Sequence, residues 1–173
     1  MAVTFVTAWK KNDPKLEADV IALWRGMNVL PKGESTDKRV KQIAILAYDD
    51  DRLAGISSLE VQAIPQLRQK FAFVRELIHP DYRKNLIART LVKHTREMIE
   101  AYALAHPEEA IAGLAAVFQT PHLGKRAIGL ESGMGLIGYT DKHEQIRAGW
   151  FEHFMVPANL TPPSEFPELD IVE

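Results

Sequence analysis

Between Phe71 and Ala105 the period of the apolar residues changes. Phe71-Ala-Phe-Val-Arg-Glu-Leu-Ile78 is a short, mostly apolar run of strand length, and from Ile87 onward apolar residues recur every three or four positions. Counting about 100° per residue from Ile87, the residues Leu91, Met98, Tyr102, Thr95, Ala88, Ile99, Val92 and Ala103 fall within roughly 160° of arc. Arg89, Lys93, Arg96, Glu97 and Glu100 take the remainder. The pattern predicts a core-facing helix that closes near Ala105, ahead of Pro107, with Asn85 as its N-cap. Leu86 falls on the polar side of that wheel, so the packing of the helix does not account for it.

The same reasoning supplies the other elements. Val3 to Trp9, rich in β-branched and aromatic residues, reads as a strand. Asp13 as N-cap and Pro14 at the first helical position open a helix to Asn28, with Leu16, Val20, Leu23, Trp24 and Met27 on one face. A loop over Pro31 to Thr36 leads to a short helical piece at Asp37 to Lys41. Ile43 to Tyr48 and Leu53 to Ala63 form a hairpin across Asp49-Asp-Asp-Arg52. Ala110 to Phe118 is a further strand, and Gly135 to Thr140 pairs with Ile146 to Val156 in a last hairpin. With one more helix ahead of Gly135 the order is β-α-(α)-β-β-β-α-β-α-β-β, an α/β (α+β) arrangement. Beyond Met155 the character changes. Pro157, Pro162, Pro163 and Pro167 punctuate an acidic stretch, so we expect one domain over residues 1–156 and an extended arm over 157–173.

Composition narrows the function classes. The 173 residues are 46% hydrophobic and 25% charged, enough for one buried core without a second domain. A net charge of −2 gives no general attraction to nucleic acid or to an anionic membrane, and neither is expected as a partner. No long apolar run and no charged-then-apolar leader is seen, which makes the cytoplasm the default expectation. With no cysteine, disulfides, thiol nucleophiles and thiolate metal sites are excluded. Asp141, His143 and Glu144 have no familiar chelating spacing, so no metal is expected. Gly133-Met-Gly-Leu-Ile-Gly138 spells a dinucleotide fingerprint, but a strand-like run overlaps it and no helix follows. Edge strands near Trp150 to Phe154 allow pairing in a homodimer.

Two places carry chemistry. Arg83, Lys84 and Arg89 crowd a helix start, where free N–H groups and the helix dipole already favour an anion. Glu76 shares a strand face with Ala72, Val74 and Ile78. A carboxylate on such a face is costly unless it forms an ion pair or is put to use as a base, and the residues alone leave both readings open.

His79-Pro80-Asp81-Tyr82, followed by Arg83-Lys84-Asn85-Leu86-Ile87-Ala88, lies on a strand end, corner and Gln/Arg-x-x-Gly-x-Gly/Ala frame. In this it resembles the GNAT acyl-CoA N-acyltransferases, with Leu86 standing where that family usually has glycine. A second stretch, Gly124, Ala127, Leu130, Glu131, Met134, Gly135, Leu136, Gly138 and Tyr139, matches the spacing of the family's helix-to-strand motif. Glu131 occupies the place where many members carry the tyrosine that protonates the departing thiolate. The resemblance implies a mixed central sheet of about six or seven strands flanked by about four helices. It also implies acetyl-CoA as co-substrate and an amine, of a small molecule or a protein, as acceptor. Arg83, Lys84, Asn85, Leu86, Ile87, Ala88 and Arg89 would hold the pyrophosphate, and Leu77, Ile78 and His79 the pantetheine. Glu76 would be the base, and Tyr139 or solvent the acid. The acceptor would lie over Trp24 to Asp37, beneath the loop at Asp141 to Gln145. The second reading is a GNAT-fold domain without transferase activity that binds CoA or a protein partner.

Overall fold

Asp13 opens the first helix as its sequence requires: its carboxylate accepts from the backbone N–H groups of Lys15 and Leu16, and Pro14 follows in the first helical position. In the computed structural model, which describes residues 3–30, 36–83, 86–119 and 133–154, this helix is α1 (Pro14–Met27). Asn28 ends it in the left-handed conformation. The other α-helices among the described residues are α2 (Thr36–Val40) and α3 (Ile87–Ala105). The strands are β1 (Val3–Thr7), β2 (Ile43–Asp49), β3 (Arg52–Ile64), β4 (Gln69–Ile78), β5 (Ile111–Phe118), β6 (Gly135–Tyr139) and β7 (Gln145–Trp150). The expected helix ahead of Gly135, the Pro31 loop and the arm over 157–173 lie outside the described residues.

All seven strands join one mixed sheet in the order β1-β2-β3-β4-β5-β7-β6. α1 lays Val20, Leu23 and Trp24 against Leu46, Leu53 and Ile56, with Leu77 beside them. α3 covers the other face, its buried stripe of Ile87, Leu91, Thr95, Ile99 and Ala103 repeating every four residues against Ala44, Ala54, Leu59, Ala72 and Val74. One polar pair lies under that helix: Ser57 Oγ and Thr95 Oγ1 share a hydrogen bond of 2.6 Å, and Ser57 Oγ also accepts from Ile45 N–H. Burial without loss of partners explains why threonine is tolerated in the stripe.

Three expectations need correction. α3 begins one residue later than a cap at Asn85 implies: Leu86 is the N-cap, its carbonyl accepting the first helical bond from Thr90 N–H. The last strand stops at Trp150 rather than Val156. Phe151 is wholly buried and its N–H donates to Ala112 O, which turns the chain into a short 3₁₀ turn at Glu152–Phe154. The short second helix starts at Thr36 and ends at Val40 rather than running from Asp37 to Lys41.

β4 and β5 are the parallel pair of the sheet, and they part company midway. β4 stays bonded to β3 along its whole length, from Ile64↔Gln69 to Gly55↔Ile78. Its pairing with β5 runs only from Lys70↔Ile111 to Phe73↔Ala115. Beyond Ala115, β5 continues with β7 instead, to Phe118↔Gln145. A gap in the ladder therefore lies between Val74–Ile78 and Ala116–Phe118, at the end of the sheet where α3 begins.

Candidate functional site

Glu76 stands on the β4 wall of this gap, three residues past the last β4–β5 pair. Its cross-strand neighbour is Ser57, whose hydroxyl is already committed to Thr95 and Ile45. Arg75, the adjacent cation, points to the other face and pairs with Glu60 at 3.1 Å. Among the described residues no cation or hydrogen-bond donor contacts the Glu76 carboxylate, so the ion-pair reading of this residue is not met there. Water reaches Glu76, yet surrounding protein strips away much of its hydration, and that desolvation pushes its carboxyl up to about 8. A carboxyl with that affinity for a proton is suited to act as a base near neutrality.

The backbone edge of Val74 to Ile78 that faces the gap has lost its ladder partner, which leaves N–H and C=O groups on offer to an extended ligand. Leu77 and Ile78 anchor that edge, Leu77 packing toward α1 and Ile78 toward α3. His79 closes the strand, its N–H bonded to Ala54 O.

The corner that follows is held from the β2–β3 hairpin. Arg52 Nη2 bonds Asp81 Oδ2 at 2.6 Å and lies 3.3 Å from His79 Nε2, with its guanidinium 5.5 Å over the Tyr82 ring. Tyr82 is buried and donates its hydroxyl to Asp49 Oδ2 at 3.0 Å. Burial, with that bond to an acid, raises the Tyr82 hydroxyl above the ordinary tyrosine range. Arg83 is tethered by a long bond from Nε to Ile78 O, 3.4 Å. Asp49 and Arg52 were legible in the sequence only as turn residues. Their charge was the one signal that they brace something.

α3 starts beside this corner with no side-chain cap and no acidic residue in its first turn. The N–H groups of Ile87, Ala88 and Arg89 precede the first helical bond, which makes this end a site for an anion. Ile87 is buried and Ala88 half-buried, while Arg83 and Arg89 are exposed. Leu86 is 76% exposed, its side chain largely uncovered by the described residues. Lys84 and Asn85 lie outside the described residues, as do Gly124, Ala127, Leu130 and Glu131.

Tyr139 is not brought to Glu76. It sits, 59% exposed, on the edge strand β6, with β7 and β5 between it and β4. Three inter-strand spacings, one of them across the unpaired stretch of β4 and β5, put its backbone at least about 14 Å away across the sheet. The Gly133–Gly138 run enters strand β6 and then a hairpin, which is no dinucleotide loop. Among the described residues no group of three or more His, Asp or Glu could hold a metal ion, and no helix is long and apolar enough to cross a membrane.

A mixed seven-stranded sheet whose parallel pair splays beside the start of a long helix is the fold of the GNAT acetyltransferases, and solved structures bear this out. A GNAT-family acetyltransferase from Streptococcus pneumoniae matches with a TM-score of 0.55 at 15% identity, covering 85% of this chain and 96% of that one. Arabidopsis thaliana NAA60 in complex with acetyl-CoA matches with a TM-score of 0.60 at 13% identity, covering 87% and 100%. The ribosomal-protein-S18-alanine N-acetyltransferase of Escherichia coli gives 0.57 at 13%, covering 92% and 99%. Neither a family model nor a curated protein sequence matches the chain. At these identities the likeness is one of fold.

Proposed function

We propose that the chain is an acyl-CoA-dependent N-acyltransferase that moves an acetyl group from acetyl-CoA to an amine of a small molecule or protein by direct transfer. The observation that carries this reading is the splay of β4 from β5 with a proton-retaining carboxyl on its wall that has no partner among the described residues. The pantetheine lies along Leu77 to His79 and takes up the backbone groups that β5 has abandoned. The pyrophosphate meets the first-turn N–H groups of α3, with Arg83 and Arg89 at hand. The amine nitrogen attacks the thioester carbonyl, and a backbone N–H near Glu76 or Leu77 receives the developing oxyanion. Glu76 takes the proton from the amine, the C–N bond forms as the C–S bond breaks, and solvent protonates the thiolate. Solvent takes that role because Tyr139 stands far from β4. Acetyltransferase relatives of the same fold, one of them solved with acetyl-CoA, support the choice of cofactor.

A second reading, a GNAT-fold domain that binds CoA or a protein partner without turning over, rests on Leu86 at the helix start and on the absence of an acid beside Glu76 among the described residues. Thermal melting with acetyl-CoA tests what the two CoA-binding readings share: ligand at 100 times its dissociation constant adds about 2.7 kcal/mol of stability, and no shift refutes both. Thiol release across an amine panel then separates them. Turnover that falls by about 10²-fold or more in Glu76→Gln establishes the base, and undiminished turnover in that variant removes it.

A further inference from the structure

β3 outruns β2. Its ladder with β2 ends at Ile43↔Ser58, where Leu59 N–H adds a last bond to Gln42 O at 2.7 Å, while its ladder with β4 continues to Ile64↔Gln69. Successive residues of a strand aim their backbone groups to opposite sides, so Val61 and Ala63 aim theirs to the side that Leu59 gives to Gln42, and Glu60 and Gln62 aim theirs at β4. Val61 is half-buried and Ala63 exposed, and among the described residues no hydrogen bond meets either along that side. Their N–H and C=O groups stand about 7 Å apart along one strand, the spacing of an unfilled ladder. Neither lysine nor proline, which keep many edges from pairing, occurs between Leu59 and Ile64. A cleft of about 290 Å³ adjoins the edge, lined by Leu59, Glu60 and Val61 together with Trp9 and Gln42.

The chain itself carries a segment suited to this edge. Phe151 N–H bonds Ala112 O and Phe154 N–H bonds Phe151 O, which leaves Phe154 beside the first residues of β5. Lys70↔Ile111 and Ala63↔Lys70 put those residues level with the β3 overhang, about 10 Å away across two inter-strand spacings. From Phe154 to Glu168 the chain can span as much as about 50 Å, so reach does not limit it. Past Pro167, Glu168-Leu-Asp-Ile-Val-Glu173 is free of proline and alternates Leu169 and Ile171 with Asp170 and Val172. Its acidic residues suit Arg68 and Lys70, exposed cations at the tip of the β3–β4 hairpin. We propose that residues 168–173 pair with Val61 and Ala63 as an added strand, Leu169 and Ile171 lying on the side of β3 where Leu59 and Val61 meet the core. Being tethered, the segment is present at about millimolar concentration, which favours it over a second molecule. The contact lies at the other end of β4 from His79 and is independent of the acyl-transfer reading.

Hydrogen exchange of backbone amides, followed by NMR on the full chain, tests the pairing. The N–H groups of Val61 and Ala63 exchange at least about 10²-fold more slowly than in an open chain, although no described residue bonds them. The double substitution Leu169→Asp/Ile171→Asp speeds both by about tenfold or more, while Glu60 and Gln62, which face β4, keep their rates. Those two steady amides show that the domain itself has stayed folded. Open-chain rates at Val61 and Ala63 in the full chain overturn the proposal. So does a rise shared by Glu60 and Gln62, which would mean general loosening rather than the loss of one strand. Protection that survives the substitutions overturns it as well, and protection that falls on dilution from about 1 mM to about 20 μM assigns the edge to a second copy instead.

Discussion

Glu76→Gln keeps the shape of the side chain and removes its charge, and its effect on stability runs opposite to that of an ordinary carboxylate. In the folded protein the carboxyl titrates at about 8, against 4.5 in an open chain, because crowding on the β4 wall disfavours the ionised form. Below 4.5 both states hold the proton and Glu76 is neutral to stability. Between 4.5 and about 8 the unfolded chain releases its proton while the folded one keeps it, so stability falls as pH rises through that window. Above about 8 the penalty is complete. For a carboxyl wholly cut off from water the shift corresponds to about 5 kcal/mol, but Glu76 is exposed to solvent, and screening reduces the expected penalty to about 1–2 kcal/mol. Melting of wild type and Glu76→Gln, ligand-free, at about pH 5 and about pH 9 reads the difference directly. The variant gains over wild type as pH rises, by about 2–8 °C at the alkaline end. All other titrating groups are common to the two proteins and cancel, and no amine is present to confuse the profile. A gap that is flat in pH, or a variant less stable at high pH, would mean that the carboxylate is ionised and paired, and the base assignment would fall.

Arg52→Ala frees Asp81 and loosens the corner ahead of α3, so initial rates should show a severalfold higher KM for acetyl-CoA with kcat held; a fall in kcat alone would refute the bracing role. Gly149→Ala would drive a Cβ into the Gly133 carbonyl oxygen, a backbone atom that cannot step aside, and should lower stability by about 1–3 kcal/mol in denaturant melts. An unchanged midpoint would show that β6 and β7 are not packed this closely. Leu86→Gly should tighten CoA binding in calorimetry if the leucine crowds the pyrophosphate, and unchanged affinity would place its side chain outside the ligand's path.

How far the sequence spoke depended on the range over which each feature is determined. The buried face of α3 was legible, because a stripe from Ile87 to Ala103 is written in local spacing, and α1 was legible from Asp13-Pro14. The face of Glu76 followed from alternation along β4, but its want of a partner among the described residues did not, since that depends on where Arg75, Ser57 and the far strands lie. Where β5 abandons β4 could not be read at all: the two strands are joined through α3, and no local pattern says at which pair a parallel ladder stops. Asn85 has the better capping chemistry, yet Leu86 takes the place, and capping preference alone does not fix the residue at which a helix opens. Tyr139 fell on a family spacing, and spacing along the chain does not reveal that two strands intervene.

The early parting of β4 and β5 divides the sheet into two panels, β1 to β4 and β5 to β6, riveted together by the short ladder from Lys70 to Phe73. A thioester arm with its own amides seated in that seam would supply the missing rungs and become masonry as well as reagent. The empty protein would then breathe along the seam, the amide hydrogens of Val74 to Ile78 that face it exchanging more readily with the surrounding water than those bonded to β3. Each round of turnover would end by withdrawing the mortar.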